Sequence, residues 1–366
     1  MSERAVASVN LAAIERNCAR LRLLSPRLCA VVKGDAYGHG AVACSKALLR
    51  AGAEMLAVAT AGEAAELRAS GIDSRLLVMG PLTGGELERT LALRCEFVAW
   101  SEEILDAAAR LGGARVHVKL DTGMGRFGTR DQALADRLAD RAAAGPGLEL
   151  VGAMTHFATA DEADRGFLDQ QLERFAAWAG ALRARHPGVL LHAENSAALL
   201  GVAGGRFDLA RCGIALYGLD PFGGDPAERG LEPALELRSW VAARKPCAPG
   251  ESAGYGRRFV AERATELAVV PLGYGDGWRR AFSDNAEVMI GGRRRPVVGT
   301  VSMDSFTAEL GSGSAVAIGD EVIVIGAGIT AEELARRAGT INYEITCALL
   351  PRVVRRYHRD GDDAGG

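Results

Sequence analysis

Leu28-Cys29-Ala30-Val31-Val32-Lys33 is an apolar run closed by a lysine. Gly34-Asp35-Ala36-Tyr37-Gly38-His39-Gly40 comes next, and then an amphipathic stretch from Ala41 to Ala51. A short apolar run bounded by turn residues reads as a strand buried on both faces, and the stretch behind the turn reads as a helix. The same alternation continues outward along the chain. Further strands are expected at Met55 to Thr60, Arg75 to Met79, Glu96 to Trp100, Ala114 to Asp121, Leu148 to Thr155, Val189 to Glu194 and Phe207 to Leu216. Amphipathic segments such as Ala61 to Ser70, Ser101 to Leu111 and Arg165 to Arg185 lie between them. Eight strand–helix repeats predict an α/β fold, a (β/α)8 TIM barrel, with a doubly wound open sheet as the alternative.

From about Leu231 the texture changes to short strands with frequent Gly and Pro, among them Glu266 to Val270, Arg295 to Thr300 and Glu321 to Ile325. Residues 1–225 are therefore expected to form the barrel and residues 226–366 a mostly β C-terminal domain that holds one helix-like stretch, Ala331 to Ala338. Ala5 to Asn10 precedes the barrel and is expected to pair with the second domain. The tail from Asp360 to Gly366 reads as frayed.

The chain has 366 residues, long enough for two cores, with 48% hydrophobic and 24% charged residues. Its 43 basic and 46 acidic residues give a net charge of −3, which argues against nucleic acid as a partner. No apolar run approaches the ~18 residues of a membrane span, and the start shows no basic-then-apolar leader, so a cytoplasmic protein is expected. Seven scattered cysteines without a Cys-x-x-Cys pair argue against disulfides and a zinc site, and no metal is expected.

In a barrel the functional groups stand where strands end, and those positions are chemically rich here. Lys33 closes the first strand. Partial desolvation there lowers an amine's pKa and suits it to bonding a carbonyl group. The fifth strand ends in Lys119-Leu120-Asp121-Thr122-Gly123-Met124-Gly125-Arg126-Phe127-Gly128, the sixth in Thr155-His156-Phe157-Ala158-Thr159-Ala160-Asp161, and the seventh in Glu194-Asn195-Ser196. The eighth region reads Asp208-Leu209-Ala210-Arg211-Cys212-Gly213-Ile214.

Val31-Val32-Lys33-Gly34-Asp35-Ala36-Tyr37-Gly38-His39-Gly40 resembles the cofactor-attachment motif of alanine racemases, and the run from Lys119 to Gly128 is similar to a second signature of that family. The resemblance covers nearly the whole chain. It implies pyridoxal 5'-phosphate (PLP) as cofactor, alanine as substrate and a homodimer with shared sites. On the residues that match, it makes Lys33 the attachment residue and Arg126 the substrate-side arginine, with Lys119 carbamylated to hold that arginine. Tyr37, His156, Asn195, Ser196, Arg211, Gly213 and Ile214 would form the cofactor pocket, His156 touching Arg211 beneath the ring and Arg211 facing the pyridine nitrogen. A guanidinium keeps its proton, so at that place it would weaken the cofactor as an electron sink.

The second domain carries Gly254-Tyr255-Gly256-Arg257, Gly273-Tyr274-Gly275-Asp276 and Ser302-Met303-Asp304, which also look like family motifs. Racemisation removes a proton on one face of Cα and delivers one on the other, so it needs two acid–base groups. By resemblance these are Lys33 and Tyr255, while Met303 and Asp304 help hold the substrate and Tyr274 lies at the entrance. Two positions depart from the pattern: Pro351 stands where a phosphate-binding tyrosine is usual, and Thr300 where an arginine is usual. Entrance electrostatics would then rest on Arg280 and Asp161. The alternatives are another PLP enzyme of the same fold type, such as a broad-specificity racemase or a decarboxylase, and a non-catalytic PLP carrier. Arg211 argues against the decarboxylases, and Tyr255, Met303 and Asp304 against the carrier.

Overall fold

The computed structural model describes residues 3–201 and 205–363, and the chain divides into two compact units. One comprises residues 14–36 and 41–216, the other residues 1–13, 37–40 and 217–366.

The larger unit is the expected barrel. Among the described residues, eight parallel strands run in the order Leu190–His192, Leu148–Met154, Ala114–Lys119, Glu96–Ala99, Arg75–Val78, Met55–Val58, Leu28–Val31 and Ala210–Cys212. The first and last of that order carry no ladder, but Arg211 N–H donates to the Glu194 carbonyl at 2.8 Å and Asp208 N–H to that of Leu191 at 2.9 Å, so the barrel is nearly closed. The alternative of an open doubly wound sheet does not hold. All eight predicted strands are present, each ending one to four residues short because the last residues turn into the loops that carry the site.

Burial explains the helices as well. Gly166–Arg185 turns Leu168, Leu172, Phe175, Trp178 and Leu182 inward at helical spacing, and the Trp178 indole donates to Asp136 at 3.1 Å. Thr60 and Glu63 form a capping box at the head of Ala61–Ala69, as do Thr83 and Glu86 at the head of Gly84–Ala92.

The smaller unit is mostly β, as expected. Its main sheet runs in the order Ala243–Cys247, Thr265–Val270, Phe306–Glu309, Arg293–Val298, Glu287–Ile290, Glu321–Ile325, Leu235–Trp240, Val6–Asn10, Val354–Arg359 and Asp362–Asp363. Val6–Asn10 lies antiparallel to Leu235–Trp240 and parallel to Val354–Arg359, so the N-terminal strand does pair with this unit. The helix Ala331–Ala338 is capped by the Thr330 side chain and ends at Gly339, whose φ of 65° is the left-handed geometry such an ending uses. The expectation of a frayed tail needs correcting for residues 360–363. They turn back, and Asp362 pairs with Arg359, because Asn10 anchors the turn through bonds to Asp360. Residues 364–366 lie outside the described residues.

Candidate active site

The loops that leave the strand ends build the barrel mouth. Val32 and Lys33 extend Leu28–Val31, and the chain then makes a left-handed turn: Gly34, Asp35, Ala36 and Tyr37 have φ of 62°, 53°, 53° and 55°. A left-handed turn of residues that carry a Cβ costs about 1–2 kcal/mol per residue, so it persists only where its surroundings enforce it. Glu63 is one restraint. Its carboxylate accepts from Gly34 N–H at 2.7 Å and from the N–H groups of Ala59 and Thr60. The Asp35 carboxylate accepts from Ala41 N–H at 2.7 Å and closes the turn against the next helix.

Lys119 is the last residue of its strand and is buried, and the loop behind it is cross-braced. Asp121 accepts from Gly123 and Gly125 N–H at 3.1 Å and from Arg130 at 3.2 Å; burial opposes its charge, but these bonds outweigh burial and lower its pKa. Arg126 is exposed at the far side of this loop, and both its guanidinium and the Lys119 ammonium lie 6.0 Å from the Phe127 ring. Gln171, buried on the long helix, donates to Thr122 Oγ1 at 3.2 Å and the His156 carbonyl at 3.1 Å and accepts from Ala158 N–H at 2.8 Å. One side chain thus ties two mouth loops together.

Arg211 sits inside the barrel and reaches His156 Nδ1 at 3.2 Å, as the sequence implied. Ser196 Oγ accepts from the N–H groups of Gly213 at 3.1 Å and Ala215 at 3.4 Å, and Asn195 Oδ1 caps the helix after it by accepting from Ala198 N–H at 2.9 Å. Ile214, next to Gly213, is buried, while Asp161 is exposed in the loop after His156.

The electrostatics arise from burial among like charges. Desolvation, with Arg211 and Arg126 beside it, pushes Lys119 down to about 7. Desolvation, with Arg211, Lys119, Arg126 and Lys33 around it, holds the His156 imidazole well below its ordinary value and therefore neutral. Burial lowers Arg211 to about 10, still charged at neutral pH. The barrel mouth gathers Lys33, Lys119, Arg126 and Arg211 around one neutral imidazole, a place that fits anions.

The other predicted residues stand in the second unit. Tyr37 is buried there against Tyr217, ring centroids 5.2 Å apart. Tyr274 N–H donates to the Ser302 carbonyl at 3.1 Å and Gly275 N–H to that of Met303 at 2.8 Å, which joins the two motif loops. Asp304 pairs with Arg352 at 2.9 Å, and Arg352 with Asp276 at 3.0 Å. The two departures have structural roles of their own. Thr300 Oγ1 donates to the Tyr255 carbonyl at 2.8 Å, and Pro351 sits in the turn that presents Arg352. Arg280 opens a short turn whose carbonyl accepts from Ser283.

The sequence reading missed Glu63, Gln171, Glu96, His117 and His192. Thr60-x-x-Glu63 is a legible capping box, whereas the last three are polar residues inside apolar strands, a signal visible only once the inward face is known.

Comparison with known proteins matches residues 9–221 to the alanine racemase N-terminal domain and residues 234–357 to the alanine racemase C-terminal domain. The alanine racemase of Geobacter sulfurreducens is 41% identical, covering 96% of both chains, and that of Beutenbergia cavernae is 41% identical over 100% of both. Among solved structures, the alanine racemase of Streptomyces lavendulae superposes with a TM-score of 0.91 at 36% identity, covering 100% of this chain and 98% of that one. The Bacillus anthracis enzyme with bound L-Ala-P gives 0.91 at 35% identity, covering 100% and 97%. Both domains and their relatives agree, and the chain belongs to the alanine racemase family, isomerases that interconvert L- and D-alanine.

Proposed function

We propose that the chain racemises alanine with PLP attached at Lys33, and that Lys33 and Tyr255 move the proton on opposite faces of the substrate Cα. The observation that carries this reading is the cationic mouth, where Lys33, Lys119, Arg126 and Arg211 surround neutral His156. A phosphate ester and an amino-acid carboxylate are both anions, and the donor set fits them. Ser196, next to Asn195, with the backbone N–H groups of Gly213 and Ile214 would suit the phosphate, and Tyr37 is a further cofactor residue in this reading; Arg126, assisted by Met303 and Asp304, would suit the carboxylate. Bound PLP withdraws electrons from the substrate Cα and so acidifies its hydrogen.

The residues divide the remaining work. The Lys33 amine exchanges a proton on the face used by D-alanine, and the Tyr255 phenol on the face used by L-alanine. Neutral His156 contacts Arg211, and the two would hold the bound cofactor's ring, where the guanidinium would offer the ring nitrogen a donor and keep its proton. Tyr274, Arg280 and Asp161 would line the entrance. The reading includes a cytoplasmic homodimer that supplies D-alanine for the cell wall or consumes L-alanine. No helix among the described residues is long and apolar enough to cross a membrane.

The test is to incubate the protein with PLP and each L-amino acid in deuterium oxide, following Cα exchange and optical rotation. Racemisation with solvent exchange confined to alanine is expected, together with loss of both activity and the visible absorbance of bound cofactor in Lys33→Ala. Exchange on many amino acids, or a cofactor retained on another lysine, would overturn the assignment.

A further inference from the structure

A hydrogen-bonded chain crosses the barrel interior behind the proposed site. Glu96, the first residue of Glu96–Ala99, is buried, and its Oε2 lies 2.7 Å from His117 Nε2. His117 Nδ1 lies 2.8 Å from His192 Nε2, and His192 Nδ1 lies 2.9 Å from a terminal nitrogen of Arg211. Both imidazoles are fully buried. Room is made for them: a Cβ on Gly152 would come 2.1 Å from His117 Nδ1. At the outer end Arg75 donates twice to Glu96, at 2.7 and 2.9 Å, and Arg115 lies 3.4 Å away.

One end of the chain dictates every proton in it. A guanidinium only donates, so His192 Nδ1 must offer a lone pair. Its hydrogen then sits on Nε2 and donates to His117 Nδ1. By the same logic the His117 hydrogen sits on Nε2 and donates to the Glu96 carboxylate. Both rings are neutral, in agreement with burial, which pushes His117 below and His192 well below the ordinary histidine value. Burial also opposes the charge on Glu96, but the bonds from His117 and Arg75 outweigh it and hold that carboxyl at about 2.

The remaining partners of Arg211 are neutral: the carbonyls of Thr155 at 2.8 Å and Ala193 at 3.0 Å, and His156 Nδ1. Among the described residues no carboxylate forms an ion pair with it. A buried guanidinium needs negative charge within reach; the buried Glu194 carboxylate acts on Arg211 through space without bonding it, and Glu96 is the carboxylate at the end of its hydrogen-bonded chain. We propose that Glu96 is a positioning residue for Arg211, its charge acting through the hydrogen-bonded His117 and His192, so that the donor offered to the cofactor ring is held from the opposite end of the barrel. This rests on the reading that places Arg211 against that ring.

The test uses full-length protein labelled with 15N at histidine and arginine, first without cofactor. In the wild type both rings should show protonated Nε2, bare Nδ1 and no titration between about pH 6 and 9. Glu96→Gln preserves shape and removes the charge. It should move the His117 Nε2–H signal upfield, with smaller changes at His192 and the Arg211 guanidinium. In the PLP-loaded enzyme the visible absorbance maximum should shift and kcat should fall about tenfold with KM for alanine little changed. A lower melting temperature with wild-type His192 and Arg211 signals would overturn the relay. Changed Arg211 signals with a wild-type cofactor spectrum would uphold the relay and overturn the placement of Arg211 against the ring. Should Glu96→Gln not fold, Arg75→Gln perturbs the carboxylate from outside, and the same propagation to Arg211, or its absence, decides.

Discussion

A lysine buried among cations can keep its proton against repulsion or give it up. At about 7 the Lys119 amine is half neutral near physiological pH, which makes it a nucleophile for dissolved carbon dioxide. The neutral amine nitrogen bonds the carbon and one proton leaves; counted from the ammonium two protons are lost, and a cation is replaced by a carbamate anion beside Arg126. The neutral amine dominates above pH 7 and is lost below it. At constant dissolved 13CO2, a carbamate carbon signal should therefore grow as pH rises from 6 to 8, be absent in Lys119→Ala, and accompany a severalfold lower KM for alanine in the wild type than in that variant. A lysine that takes up no 13C across this range would sink the idea. Lys33 was legible because a charged group closing an apolar run stands out, and Lys119 through the motif that follows it. Glu96, His117 and His192 were not, since an alternation such as Arg115, His117, Lys119 looks the same whether it faces solvent or a barrel interior.

At the scale of elements, the barrel strands were legible from their apolar runs, and their outer ends were not. Several strands of the second unit escaped for a different reason. Ala243–Cys247 carries Arg244, Lys245 and Pro246, and Val354–Arg359 is mostly charged, so neither has the apolar alternation that marks a strand; each is held by a partner distant in sequence. The left-handed turn after Lys33 was also invisible, because Asp35, Ala36 and Tyr37 do not announce positive φ. Its restraint by Glu63 is testable. Glu63→Ala removes the acceptor for three backbone N–H groups and half of a capping box, a loss of about 1–2 kcal/mol that should lower the melting temperature by a few degrees. The same variant should release PLP faster in a dilution assay monitored by absorbance. An unchanged release rate beside a lowered melting temperature would confine Glu63 to capping.

At the scale of the molecule, the second unit exposes Tyr255 at 73%, Met303 at 52% and Tyr274 at 43%, together with Ile341 and Leu350. Exposed large apolar side chains that belong to a functional motif call for a covering surface. In the two-fold dimer we propose, that surface is a partner chain, each site combining Lys33 of one chain with Tyr255 of the other, and the two sites are equivalent. Complementation reads this directly. Lys33→Ala and Tyr255→Phe are each expected to be inactive as pure proteins. When the two are mixed, dissociated and reassembled, half of the dimers should contain one chain of each kind. In such a dimer one site carries both lesions, and the other receives intact Lys33 and intact Tyr255 from opposite chains. Roughly a quarter of all sites should then be wild type. If each chain completed its own site, every site would keep one lesion. Racemase activity near a quarter of the wild-type value supports the shared site, and activity at the parental background, with mixed dimers confirmed by mass, rules it out.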